Sequence, residues 1–171
     1  SFAIAPAAAG DILSPEFKEA GHPVYIIRAP RAGDSAGLRS AWEFFHTLAS
    51  QGKVRAAWAI EGSIGEAIMN MSFGNRIGFA GETGDGDAYW SNSAPGVGSI
   101  VAELSEEVSD ALAEKIGVTT AVPVITLGGD SVSISELLAL NEGVLENIYP
   151  NRTAANPTPV PVLEAPAFTR T

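Results

Sequence analysis

The chain contains no cysteine, which excludes disulfides, thiolate metal centres and a cysteine nucleophile, and fits a reducing compartment such as the cytoplasm. Long hydrophobic runs are also missing. Gly, Pro or a charged residue interrupts every apolar stretch before the ~18 residues that a membrane-spanning helix requires, so no membrane partner is expected. The first residues, Ser1-Phe2-Ala3-Ile4, carry no initiator methionine, basic leader or apolar leader core, and read as the start of a piece excised from a longer polypeptide. Basic residues are scarce, 10 Lys and Arg against 20 Asp and Glu, for a formal net charge of −10. A surface of that sign repels nucleic-acid backbones. A phosphate ligand would need local help: a helix N-terminus, a magnesium ion held by carboxylates, or basic residues from a neighbouring domain.

What is present is enough for a core. At 171 residues and 46% hydrophobic, the chain has the size of one domain. Val24-Tyr25-Ile26-Ile27, between two prolines, reads as a buried strand. Ser14-Pro15-Glu16-Phe17 has the cap, proline and acidic first turn of a short helix. Leu38, Trp42, Phe45 and Ala49 recur at helical spacing over 35–51, and Gly52 stands at the stop, so Trp42, Phe44 and Phe45 are assigned to the core. A strand over 54–60 leads through Gly62-Ser63 into a helix bearing Ile64, Ile68 and Met71 on one face. Further strands are expected at 76–80 and 99–104, separated by a Gly/Asp/Ser/Asn-rich exposed connection over 81–98.

Ser105, with Glu106 and Glu107 behind it, resembles the cap of a helix carrying Val108, Leu112 and Ile116 to a stop at Gly117. Residues 118–127 are β-rich, and Gly128-Gly129-Asp130 turns into a return strand at Ser131-Val132. Ser133 and Glu136 form a capping box for a closing helix with Leu137, Leu140, Val144 and Ile148 inward, weakened by Gly143. The domain is set at 1–150. Residues 151–171, with prolines at 157, 159, 161 and 166, read as a linker. Helices alternating with strands and at least one hairpin predict an α+β domain with a mixed sheet.

The candidate site is the turn Glu61-Gly62-Ser63-Ile64-Gly65. A strand ends in a carboxylate, turns on glycine and enters a serine-capped helix, so the first helical N–H groups and the positive end of the dipole face outward. Gly62, Ser63, Ile64 and Gly65 are the candidate phosphate-binding residues, and Glu61 the candidate magnesium ligand. Short glycine turns of this kind are also common as plain connections. Glu66, in the first helical turn, is explained by the dipole alone. A turn before a strand accounts for Asn75-Arg76, and a solvated turn for Gly84-Asp85-Gly86-Asp87, which lacks the downstream glutamate of a calcium loop. Neither His22 nor His46 has ligand-spaced neighbours, and no catalytic residue is assigned.

A longer pattern surrounds that turn: Gly52-Lys53-Val54, Ala57-Trp58-Ala59-Ile60, Gly62-Ser63-Ile64-Gly65-Glu66-Ala67 and Met71-Ser72-Phe73-Gly74-Asn75-Arg76-Ile77-Gly78. It resembles the second C-terminal-type repeat of the phosphoribosylformylglycinamidine synthase family, in the superfamily of aminoimidazole ribonucleotide synthase. Gly10-Asp11-Ile12 with Ser14-Pro15-Glu16-Phe17-Lys18 resembles the opening of that repeat. Ile116-Gly117-Val118-Thr119-Thr120 with Pro123-Val124-Ile125 resembles its final strand, and 137–150 its closing helix. The matches follow the family's order across most of 10–150.

The resemblance implies a three-layer α/β/α domain with a mixed sheet, packed beside sister domains of one polypeptide, with the linker leading to a downstream glutaminase domain. It implies an intact ligase of purine biosynthesis that uses ATP and magnesium, with glutamine as amido donor, to convert formylglycinamide ribonucleotide to the amidine. The isolated piece is expected to be inactive. Active repeats carry paired glycines at the turn, where this chain has Ile64. The piece is therefore expected to line an ATP or ADP phosphate site or to serve only as scaffold. The alternatives are a purely structural interaction domain, or the equivalent domain of a related ATP-using enzyme such as thiamine-phosphate kinase or selenophosphate synthetase.

Overall fold

The computed structural model describes residues 2, 4–30, 33–82, 87–91, 98–146 and 148–150. The proposed linker at 151–171 and most of the acidic glycine loop at 84–87 lie outside them. Seven strands form one sheet among the described residues: β1 (Pro23–Ile27), β2 (Val54–Ala59), β3 (Gly78–Gly81), β4 (Ile100–Leu104), β5 (Ala113–Thr120), β6 (Val124–Leu127) and β7 (Asp130–Ser133). Their order is β2-β4-β1-β5-β3-β6-β7. Every pairing is antiparallel except β3 with β6, so the sheet is mixed. Among the described residues, four α-helices and a 3-10 turn at Ala9–Asp11 complete the fold: α1 (Ser35–Ser50), α2 (Ile64–Phe73), α3 (Asp87–Ser91) and α4 (Ile134–Gly143).

Side-chain alternation along the strands divides the core into two layers, as the period of two requires. Val24, Ile26, Ala56, Val101 and Ile116 face one way, against Ile64, Ala67, Ile68 and Met71 of α2, Trp90 of α3 and Ile134 of α4. Tyr25, Val54, Ala102 and Leu104 face the other way, against Leu48, Phe44, Phe45 and Ala49 of α1. Residues 54 and 56 fall on opposite faces because the β2–β4 register slips between them. That bulge lets β2 seat Val54 under α1 and Ala56 under α2. The α+β expectation and the three-layer arrangement hold.

The structure corrects the reading of several segments. Residues 14–17 are not helical. The Phe17 N–H donates to the Met71 carbonyl at 2.8 Å, and the Lys18 and Glu19 N–H groups both donate to the Glu103 carboxylate. Backbone donors engaged so far along the chain are not free to close a helical turn. The helix expected at 105–116 is also absent. The Ser105 N–H donates to the Lys53 carbonyl, and Ile116 lies at the sheet centre in β5, fully buried. Gly117 is consequently no helix stop but a strand residue, where a β-carbon would run into the Ala80 carbonyl and the Phe79 ring.

The connection at 81–98 holds α3, whose Trp90 is 3% exposed and stacks edge-on with Phe79. Residues 118–120 finish β5, so the β-rich 118–127 stretch is two strands rather than one. Arg76 precedes β3 in a left-handed turn, φ 55°, and the strand begins only at Gly78. Trp42, assigned to the core, is half-exposed and donates its indole N–H to the Gly98 carbonyl. On α4, Ile134 is buried and Leu137 packs on the core, whereas Leu140 and, past the helix end, Val144 and Ile148 are exposed.

Candidate functional site

α2 begins where β2 leaves the sheet, and its first turn is built as the capping box S-x-x-E. Ser63 is the cap residue, its Oγ accepting the Glu66 N–H at 3.1 Å. Glu66 folds its carboxylate back over Gly62, so that any side chain at Gly62 would overlap it. Gly65 passes close to the Trp90 carbonyl, and a β-carbon there would lie 3.1 Å from that oxygen. Glycine at 65 therefore lets α2 and α3 approach.

A cavity of about 550 Å³ opens beside this turn, walled by Ser63, Gly65 and Glu66, by Trp90 and Ser91, and by the β6–β7 hairpin. Ile125, Leu127 and Val132 from the hairpin, with Trp90, make its apolar lining, and Asp130 and Ser131 add polar groups. Of the candidate residues, Ser63 and Gly65 line the cavity. Gly62 is covered by Glu66, and Ile64 turns its side chain into the core at 1% exposure. Glu61 is exposed and not part of the lining.

The chemistry of this lining does not suit phosphate. Among the described residues its ionisable members are Glu66 and Asp130, with no Lys, Arg or His. One carboxylate lies over the helix N-terminus, where an incoming anion would have to sit, and repels it across a short distance. Among the described residues no three His, Cys, Asp or Glu are grouped to hold a metal ion. Glu61 stands without companions of that kind.

Two other polar clusters escaped the sequence reading. Glu103, in the middle of β4, is fully buried. Its carboxylate accepts the Lys18 N–H at 2.7 Å, the Glu19 N–H at 3.1 Å and the His22 Nδ1 at 2.6 Å. The chain before β1 is thereby tied to the sheet, and Thr119 Oγ1 adds bonds to the Glu19 carbonyl and from the His22 N–H. A glutamate inside Ile-Val-Ala-Glu-Leu was the available signal. The second cluster joins α3 to the sheet. Arg28 donates to Glu114 at 2.8 Å and to the Tyr89 hydroxyl at 3.0 Å, which in turn donates to Glu114 at 2.6 Å. Burial pushes the Glu114 carboxyl up, but Arg28 and Tyr89 outweigh it and hold the group below its ordinary value.

Solved structures share this arrangement. The chain shares its fold with PurL. It matches PurLQS from Thermotoga maritima with a TM-score of 0.61 at 14% identity, over 96% of this chain and 32% of that one. Phosphoribosylformylglycinamidine synthase II from the same organism matches with a TM-score of 0.60 at 14% identity, over 91% of this chain and 31% of that one. T. maritima PurL complexed with AMPPCP matches with a TM-score of 0.59 at 12% identity, over 91% and 30%. The chain thus spans about a third of the length of these neighbours. No protein-family model and no curated protein sequence matches it.

Proposed function

We propose that this chain is one domain of an ATP-dependent carbon–nitrogen ligase of the phosphoribosylformylglycinamidine synthase kind, and that its share in the ligase is scaffolding rather than phosphate binding. One observation carries the ligase reading: a single fold match runs along 91–96% of the chain, and the family-like motifs follow the family's order within it. Scaffolding is favoured over a phosphate-lining role by the Glu66 carboxylate folded over the Gly62 turn. Sister domains and a glutaminase activity would then supply nucleotide, magnesium and ammonia chemistry.

The full-length polypeptide should convert formylglycinamide ribonucleotide to the amidine with ATP and glutamine, and the 171-residue chain alone should not. Failure of the full-length protein, or turnover by the chain alone, would overturn the reading. The scaffolding share is tested separately by Glu61→Ala and Ser63→Ala in the full-length protein. Bound nucleotide is expected to stay unchanged, and its loss would restore the phosphate-lining role.

A further inference from the structure

Among the described residues the sheet ends at two edges, β2 and β7, and the ladder shows which backbone groups those edges leave open. The Ile134 N–H donates to the Pro123 carbonyl at 3.0 Å. Bonded pairs alternate along an antiparallel ladder, so 125 bonds 132 and 127 bonds 130, while Ser131 and Ser133, opposite Thr126 and Val124, turn their backbone groups outward. Nothing among the described residues bonds the Ser131 N–H, the Ser131 carbonyl or the Ser133 N–H. At the other edge the Ile60 N–H donates to the Ser99 carbonyl, and the same alternation turns Ala57 and Ala59 outward. An open edge of this kind is a template for one more extended strand.

The chain carries a segment of matching chemistry within 151–171, outside the described residues. Prolines at 157, 159 and 161 alternate there with Thr158, Val160 and Val162. Proline fixes its own φ at about −65° and disfavours helix for the residue before it, so the sequence from Asn156 to Pro161 selects extended backbone before any partner is met. In an extended strand every second residue turns its N–H to the same side. The donors of Thr158, Val160 and Val162 therefore share one edge, and the opposite edge, made by the prolines, has none. Such a strand pairs on one side only and stops the sheet. Residues 156–163 carry no charge, so the exposed Asp130 at the β7 edge does not repel them.

Chain length favours β7 over β2. α4 follows β7 directly and packs on it, and its exposed Leu140 shows that the helix leaves the core rather than crossing it. From Pro150 the seven residues to Pro157 reach about 24 Å when extended, the rise of about 16 helical residues. The tail can thus return from the far end of α4 to its start beside β7. β2 lies six strand spacings away from β7, about 29 Å across the sheet. We propose that residues 157–162 add to β7 as a one-sided eighth strand, the Ser131 carbonyl accepting from a tail N–H and the Ser131 and Ser133 N–H groups donating to tail carbonyls. The strand closes an edge that would otherwise invite aggregation, whatever reaction the larger protein carries out.

Amide hydrogen exchange on the whole 171-residue chain tests the pairing. The Ser131 and Ser133 amides should exchange at least about tenfold more slowly in the parent than in Thr158→Pro/Val160→Pro/Val162→Pro, which keeps the segment extended and removes its donors. Protection of the central strands β1, β4 and β5 should be the same in both, which shows that the variant is folded, and Ala57 and Ala59 should exchange alike. Pro157→Ala/Pro159→Ala/Pro161→Ala keeps the donors and should keep Ser131 and Ser133 slow. Equal exchange of these two serines in the parent and the triple proline variant would overturn the proposal, as would a tail-dependent protection found at Ala57 and Ala59 instead. Loss of protection in the alanine variant would show that the prolines and not the N–H groups are recognised. Protection that depends on chain concentration would assign the strand to a second copy, and either of these results also overturns the proposal. Ligase turnover, present or absent, moves none of these readouts.

Discussion

Glu103 shows how a single residue can organise a segment distant in sequence. Its carboxylate is fully buried and holds two backbone N–H groups and His22. Glu103→Ala would leave the Lys18 and Glu19 donors unsatisfied beneath the sheet, at a cost of roughly 3 kcal/mol. Urea unfolding should show that loss, and hydrogen exchange should place it at 17–22 first. A variant as stable as the parent would mean that water replaces the carboxylate without loss. Glu16 is a contrasting case at the surface. The Lys18 ammonium and then the Ser14 hydroxyl bond its carboxylate and lower its pKa from 4.5 to about 2. Because the native value is depressed, the stability this group contributes is present above pH 4.5 and is lost as pH falls through about 2. Carbon-detected titration of Glu16 should show a midpoint well below 4.5, and Lys18→Ala should raise it.

At the scale of elements, the strongest test concerns β5, where spacing misled. Val108, Leu112 and Ile116 recur every four residues, which fits a helix, yet Leu112 is 39% exposed and Ile116 is fully buried in the sheet. What decides the matter is long-range. β5 pairs with both β1 and β3, and its Gly117 passes so close to Phe79 that a β-carbon would lie 2.5 Å from the ring. Gly117→Ala should destabilise by about 2–3 kcal/mol, since the clash is with backbone and a buried ring that cannot both yield. Were Gly117 only a helix stop, alanine would be nearly neutral, and the denaturation midpoint separates the two. The elements that were legible in advance, β1, α1, β2, α2, β4, the β6–β7 hairpin and the start of α4, are those whose signals are local. Gly52 ends α1 with φ 71°, and Ser63 and Ser133 cap their helices through Glu66 N and Glu136 N. α3 was missed because five residues are too few to show a period. The Ser63 turn was legible in the sequence, but the cavity beside it was not, because its other walls come from Trp90 and Asp130, far along the chain.

Among the described residues a row of apolar side chains over 140–149 is exposed, and its position bears on how the chain is used. Leu140, Val144 and Ile148 recur every four residues and are 68%, 77% and 68% exposed, with Leu145 and Tyr149 beside them at 54% and 74%. Scattered exposed hydrophobics are ordinary, but a contiguous row at one end of a chain of net charge −10 is not explained by folding. As one domain of a ligase, the chain would lay this row against a sister domain. Leu140→Lys/Ile148→Lys removes apolar surface that contributes nothing to the isolated fold, so its unfolding free energy should stay within about 0.5 kcal/mol of the parent. In the full-length protein the same pair of lysines would be buried without partners, and should lower the melting temperature and the yield of soluble enzyme. Equal effects in both contexts would show that the row faces water in the larger protein as well, and would remove the reason for placing a sister domain there.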